Sequence, residues 1–435
     1  LGLLEKGEVM SAQAVGAVHS DIRDLALAER GKRRIEWAFH SMSVLQGIRK
    51  QIIKAQPYGN LRIAACLHIT PEAANLMITL RDGGANLMLC AASPNSTHDD
   101  VAASISKDYN IPVFGICGES RDVFDHHLRT VIGFQPQLVI DDGCALTAML
   151  HEKYPEAMPE ILGGTEESAS GVARMRAAAK EGLLGFPVVA VSEGSTKLLF
   201  DNRCGTGQST LDAICRTTGV LIAGMIVVVV GFGPCGRGIA ARARGLGANL
   251  IICEVDPKRA LEAIMDGFRV LAFADAAALG DVFITVSGNK HVIGREHFDK
   301  FKNEAILCNA GHSNVEIDIE NLGMVALSRR QTRDFVEEFA MRDGRRLYLL
   351  GEGRLINLNA TEGLPASVMD VSYAIHALSA EYLIKCNGAL KKEVVPVPLD
   401  IDRQVARIKL ESMGVKIDRL TVDQEQYQAT WFQNA

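Results

Sequence analysis

Apolar residues along this chain fall into short unbroken runs separated by stretches of helical spacing. Before the alternation begins, residues 21–54 carry Ile22, Leu25 and Leu27, then Ile35, Phe39, Met42, Leu45, Ile48 and Ile52, which predicts two helices flanking a core. Residues 61–67 form an apolar strand ending at His68-Ile69-Thr70. Pro71 then opens a helix, where proline is tolerated because the first helical N–H has no partner to lose. Further strands are predicted at 86–91, 111–116, 137–140 and 187–191, whereas the glycine-rich polar stretch 163–171 reads as a binding loop. A second series follows at 226–230, 249–253, 282–287 and 305–308, with short strands at 346–350 and 355–358. Residues 365–384 have the spacing of a long amphipathic helix, and Tyr427 and Trp431 lie on a final helix expected to dock elsewhere. Residues 1 to about 15 read as an untied tail. Strand–helix alternation in two series predicts an α/β fold of two doubly wound parallel-sheet domains around a cleft, with a small C-terminal tail.

Residues 226–256 carry the densest pattern. The β-branched run 226–230 predicts a strand buried on both faces. Gly231, Gly233 and Gly236 follow with the spacing G-x-G-x-x-G. The first allows a tight turn, the second lets the backbone approach a pyrophosphate, and the third lets the next helix pack close to the strand. That helix offers free N-terminal N–H groups to phosphates. The next strand ends at Glu254. A carboxylate there accepts hydrogen bonds from a ribose 2′-hydroxyl and repels a 2′-phosphate, which favours NAD over NADP. The whole unit predicts a Rossmann NAD-binding domain over 208–357. Residues 1–192 predict a substrate-binding domain, to which 366–400 returns, and 401–435 an oligomerisation tail. The polar stretch 192–210, with Lys197, Asp201 and Asn202, predicts a crossing between the domains. Hinges are expected near 192–208 and 357–366, and interdomain clefts are favoured ligand sites.

Composition narrows the function classes. A chain of 435 residues, 48% hydrophobic and 23% charged, is an ordinary globular protein of two or three domains. A net charge of −6 without a Lys/Arg stripe argues against a nucleic-acid partner. The ten cysteines are scattered with no C-x-x-C pair, so neither a zinc site nor a disulfide framework is predicted. No apolar run reaches membrane-spanning length, and Glu5, Lys6 and Glu8 interrupt the apolar N-terminus. No membrane partner and a cytoplasmic location are therefore expected.

Several blocks in order resemble the S-adenosylhomocysteine hydrolase family, in its shorter, archaeal-type branch. They are Cys-Leu-His-Ile-Thr (66–70), Asp-Asp-Gly (141–143), Gly-Thr-Glu-Glu-Ser-Ala-Ser-Gly (164–171), Thr-Lys-Leu-Leu-Phe-Asp-Asn (196–202), Gly-Phe-Gly-Pro-Cys-Gly-Arg-Gly (231–238), Glu-Val-Asp-Pro (254–257), Asn-Ala-Gly-His (309–312) and Glu-Gly-Arg-Leu-Ile-Asn-Leu (352–358). The resemblance implies a redox cycle on an adenine nucleoside. Tightly held NAD+ oxidises the 3′-hydroxyl to a ketone, a side-chain base removes the acidified C4′ proton, the 5′ substituent leaves, water adds at C5′, and the ketone is reduced again. It implies that Lys197 and Asp201 engage the ribose hydroxyls, Lys197 helping to remove the 3′-hydroxyl proton. By the same resemblance Asp142 is the acid near C4′ with Glu167 its neighbour. His68 protonates the leaving group, and His312 lies beside nicotinamide and substrate. Thr70 and Glu72 match adenosine contacts. Ser168, Ala169, Ser170, Asn202, Glu254, Asn289, Gly311 and Asn357 match positions around NAD. A homotetramer is implied as well.

The sequence also departs from the family pattern. Leu364, in Gly363-Leu364-Pro365, replaces a histidine that lies against the nucleoside, and Ser313 replaces a phenylalanine that helps gate the substrate channel. Replacing a donor by leucine is felt by a buried polar substrate at about 1–3 kcal/mol. Two enzymatic readings therefore stand: hydrolysis of S-adenosylhomocysteine, and dehydration of another 5′-substituted nucleoside by the same oxidation and elimination. A non-catalytic NAD-binding regulator is disfavoured by the intact set of His68, Asp142, Glu167, Lys197, Asp201 and His312.

Overall fold

The computed structural model describes residues 20–312 and 314–431, so the tail expected over 1–15 and Ser313 lie outside the described residues. Two sheets organise the chain. The first takes β1 (Arg62–Leu67), β2 (Asn86–Ala91), β3 (Val113–Phe114), β4 (Leu138–Asp141), β5 (Gly163–Glu166) and β6 (Val188–Ala190). The second takes β7 (Ile226–Val230), β8 (Asn249–Cys253), β9 (Arg269–Val270), β10 (Val282–Thr285), β11 (Ala305–Asn309), β12 (Ala326–Arg333), β13 (Val336–Met341) and β14 (Arg346–Leu350). Late in the chain, β15 (Val394–Pro396) returns to the first sheet, whose order is β15-β6-β5-β4-β1-β2-β3, parallel throughout. The second runs β12-β13-β14-β11-β10-β7-β8-β9, parallel except for the pairings of β13 with β12 and β14.

Both sheets are covered by helices, which is why β1, β4, β7, β10 and β11 are near-continuous apolar runs rather than alternating ones. Their C-terminal ends gather the polar residues. His68 follows β1, Asp141 ends β4, Glu166 ends β5, Gly231 follows β7 and Asn309 ends β11. In open parallel sheets that edge is where ligands bind.

Four local expectations need correction. The supposed loop 163–171 begins as the buried strand β5. A Cβ on Gly163 would lie 2.7 Å from the Leu383 side chain, and one on Gly164 3.2 Å from Phe186. Glycine there serves close packing, not mobility. The expected strand at 355–358 is a single bridge, Leu355 to Asn309, followed by the helix Ile356–Ala360. The hairpin of β12 and β13 and the edge strand β15 carried no strand signal; β12 is exposed along seven of its eight residues and rich in arginine. The long helix Ala366–Cys386 is not amphipathic but buried along most of its length, and carries Asp370 and His376 into the core.

Candidate active site

Four acidic residues, Asp141, Asp142, Glu166 and Glu167, crowd the ends of β4 and β5, and Asp141 and Glu166 are structural. Asp141 accepts from the Asp142 N–H at 3.0 Å and the Thr147 N–H at 2.8 Å. Glu166 accepts from Gly143 N–H at 2.7 Å and Cys144 N–H at 3.1 Å. Burial pushes both carboxyls up in pKa. Between them they hold the turn into the helix Ala145–Lys153 and one N–H of its first turn, that of Thr147, where the N-cap side chain itself makes no bond. Asp142 is thereby released from capping. Its Oδ2 lies 3.4 Å from His68 Nε2. The His68 and His312 rings are 6.1 Å apart, and one ligand atom from each of His68, Asp142 and His312 falls within 4.8 Å of the others. That spacing suits proton exchange, and a divalent cation could also lie there, a grouping the scattered sequence positions did not predict.

The crossing between the sheets is helical. A turn at Ser195–Lys197 runs into a π-wound segment, Leu198–Gly205, and then the helix Thr206–Thr218. The winding stacks Lys197 and Asp201, four apart, with Nζ to Oδ2 at 2.7 Å. Lys197 Nζ also lies 3.1 Å from Glu167 Oε1. Burial alone would strip the charge from Lys197, but the carboxylates of Asp201 and Glu167 outweigh it and hold its pKa above the ordinary lysine range. Glu167 is pulled the other way: burial raises it, while Lys197 and His376 bring it below the usual carboxylate value. Asp201 stays raised, because burial outweighs Lys197. Thr70 caps the helix Pro71–Asp82, accepting from Ala73 N–H, and burial raises the neighbouring Glu72 carboxyl.

The glycine cradle fits a dinucleotide. Gly231 has φ +110°, and a Cβ on Gly236 would lie 2.0 Å from the Gly231 carbonyl oxygen, so turn and helix touch through backbone. Above Gly233 the space is open: its Cβ would meet nothing nearer than Arg259 Nη1 at 3.8 Å. At the end of β8, Glu254 Oε2 accepts from Phe232 N–H at 2.7 Å, while Oε1 accepts from Val255 at 2.7 Å and Asp256 at 3.0 Å. Asn202 and Asn357 each bury a side-chain oxygen with no hydrogen-bond partner, as groups that await a polar ligand do. Asn289 is exposed on the loop beyond β10, and Gly311 tolerates no side chain, since Glu316 Oε1 would lie 1.8 Å from its Cβ. Ser168 caps the helix Ala169–Lys180 and bonds Glu166 and Ser170, with Ala169 exposed between them.

Comparison with known proteins bears on the whole chain. Residues 19–156 match the family model described as S-adenosyl-L-homocysteine hydrolase, and residues 202–363 match the NAD binding domain of the same family. The chain is 54% identical to the adenosylhomocysteinase of Aquifex aeolicus (strain VF5), covering 94% of this chain and 98% of that one. It belongs to the S-adenosylhomocysteine hydrolase family. The adenosylhomocysteinases of Thermosynechococcus vestitus (49% identity, 95% of this chain and 96% of that one) and Saccharolobus solfataricus (48%, 94% and 98%) agree. NAD is thus the cofactor, and the activity is of the hydrolase type. These relatives give the dehydrating alternative no support. Among the described residues no helix is long and apolar enough to cross a membrane.

Within this family member, sequence reasoning missed the groups behind the cleft. His376, wholly buried in the long helix, bonds Glu167 Oε2 through Nε2 at 2.9 Å and Thr165 Oγ1 through Nδ1 at 2.7 Å. Tyr373, one turn earlier, is buried near Thr70, Glu72, Asp142 and Glu167, and burial raises its phenol well above the ordinary value. A histidine and a tyrosine three apart on an apolar helix read as core residues, and no local signal distinguishes them. Leu364 is half-buried against Gly205, in the second segment that joins the sheets.

Proposed function

We propose that this chain catalyses the reversible hydrolysis of S-adenosylhomocysteine to adenosine and homocysteine, with the cleft residues in the roles the family resemblance implies. The observation that carries the reading is the shared lysine, Nζ 2.7 Å from Asp201 and 3.1 Å from Glu167, beside the facing pair His68 and Asp142. Glu254, Asn202 and Asn357 would hold NAD+ at the glycine turn, and the bound cofactor would supply the hydride acceptor and donor needed to make the 3′ carbon a ketone and restore it. Lys197 bonds the ribose 3′-oxygen. In one concerted relay the hydroxyl proton passes to Lys197 as Lys197 passes one of its own to the Asp201 carboxylate 2.7 Å away. Asp142 removes the C4′ proton and returns it to C4′ when water adds at C5′, and Glu167, held ionised, keeps the ammonium in place. His68 gives a proton to the departing sulfur and later receives one from the water that adds at C5′. His312, whose ring lies 6.1 Å from that of His68, takes the place beside nicotinamide and substrate that the resemblance implies.

The same reading divides the chain into a substrate body (1–192 with 366–400), an NAD body (208–357) and a C-terminal tail. It takes the molecule to be a homotetramer, supported by the exposed apolar residues Met413, Ile417 and Val422 of the tail. The test is direct. Purified protein incubated with S-adenosylhomocysteine is expected to release free thiol, and Asp142→Asn or Lys197→Ala to abolish release while NAD stays bound. No thiol from the unmodified enzyme overturns the activity; near-normal rate in either variant overturns that residue's role.

A further inference from the structure

The helix Ala366–Cys386 brings one ionisable ring to the back of the site, and the chemistry of its two contacts fixes what it does. An ionised carboxylate only accepts hydrogen bonds, so His376 Nε2, 2.9 Å from Glu167 Oε2, must carry a proton. On the ring's other side Nδ1 lies 2.7 Å from Thr165 Oγ1. Thr165 is buried on β5, two residues before Glu167, and its hydroxyl can donate to Nδ1. With Thr165 donating, the ring is held as the Nε2–H tautomer. Glu167 is left with its two oxygens divided: Oε2 to His376, Oε1 to Lys197 at 3.1 Å. Neither oxygen can turn without breaking a buried bond, and His376 is wholly inaccessible to water.

Resting on the hydrolase reading above, we propose that His376 is a positioning residue of the reaction. Its Nε2–H, set by Thr165, fixes Glu167 so that the Lys197 ammonium is held between two carboxylates in the one geometry that meets the ribose. Without that donor, Oε2 is left unsatisfied in a dry site. Glu167 then rotates to offer both oxygens to Lys197 and draws the ammonium away from Asp201. Substrate contacts made by other residues survive, so the loss falls on turnover.

The experiment compares three variants in the full enzyme with NAD+ bound, measuring thiol release from S-adenosylhomocysteine. The unmodified enzyme is the control: if it releases no thiol, the hydrolase reading fails whatever His376 does. His376→Leu is expected to lower kcat about 30-fold with KM within about 3-fold, the scale of one unsatisfied buried acceptor. His376→Gln, whose amide N–H can reach the same oxygen, is expected to recover kcat to within about 3-fold of the unmodified enzyme. Should the leucine variant fail to fold, Thr165→Val decides, with an expected kcat loss of about 5-fold at unchanged KM. Equal impairment of the leucine and glutamine variants, a leucine variant at normal kcat, or an unimpaired Thr165→Val overturns the proposal.

Discussion

Lys197 is the residue on which the charge of the cleft turns. A buried ammonium flanked by two carboxylates is stable as a set and costly to break, because removing the cation leaves Asp201 and Glu167 facing each other without water. Lys197→Met is predicted to cost about 3–5 kcal/mol, measurable as a fall in the denaturant midpoint at neutral pH. The pH dependence has a definite sign. Because the folded pKa of Lys197 is raised, its stabilisation is fully present below the unfolded value of about 10.4 and is lost as the pH climbs through the folded one. Unfolding midpoints are therefore predicted to decline on the alkaline side in the unmodified protein and less steeply in Lys197→Met. Tyr58 and Tyr373, which burial keeps protonated, add slope of the same sign, as do the buried thiols of Cys66, Cys144, Cys253 and Cys308. At this scale the sequence was legible wherever partners lie close in the chain, as Lys197 and Asp201 do. His376 and Glu167 are 209 positions apart, and nothing local announces the contact.

Helices and strands were legible where burial leaves a period, and illegible where packing overrides composition. The run 226–230 and the glycine turn behind it could be assigned because each glycine has its own steric task. Two substitutions separate those tasks. Gly236→Ala places a Cβ 2.0 Å from the Gly231 carbonyl and is predicted to lower both Tm and NAD affinity. Gly233→Ala meets no protein atom nearer than 3.8 Å and is predicted to keep the Tm while losing NAD, since the new methyl occupies only the open side of the turn. Calorimetric melting and NAD titration of the two variants check the distinction. By contrast, β5 looks like a loop because Gly163 and Gly164 are small for the sake of Leu383 and Phe186, partners that no window of sequence contains. The helix Ala366–Cys386 misleads in the same way: it lies inside the molecule, so its buried polar residues mark internal contacts, His376 with Glu167 and Asp370 with the Val44 and Leu45 N–H groups and Lys409.

For the molecule as a whole, the two-sheet plan was legible from the alternation of strands and helices, while the hairpin at the edge of the second sheet was not. Its strand β12 faces solvent with Ser328, Arg329, Arg330 and Arg333, and carries no apolar period. The tail beyond Ser412 is exposed throughout its described length and carries Met413, Val415, Ile417 and Val422. Ending the chain at Ser412 is predicted to lower the assembly mass measured by light scattering; an unchanged mass would assign the contact to another surface. The crossing helix has a further mechanical consequence. A Cβ on Gly207 would lie 2.6 Å from the Gly238 backbone, and one on Gly238 1.9 Å from the Arg203 carbonyl. Main chain rests on main chain, with no side chain between to act as a bearing. The Thr206–Thr218 rod is thus welded to the helix Pro234–Gly245, and any movement between the first sheet and this pair of helices along this crossing has to flex upstream of Arg203, in the same winding that carries Asp201.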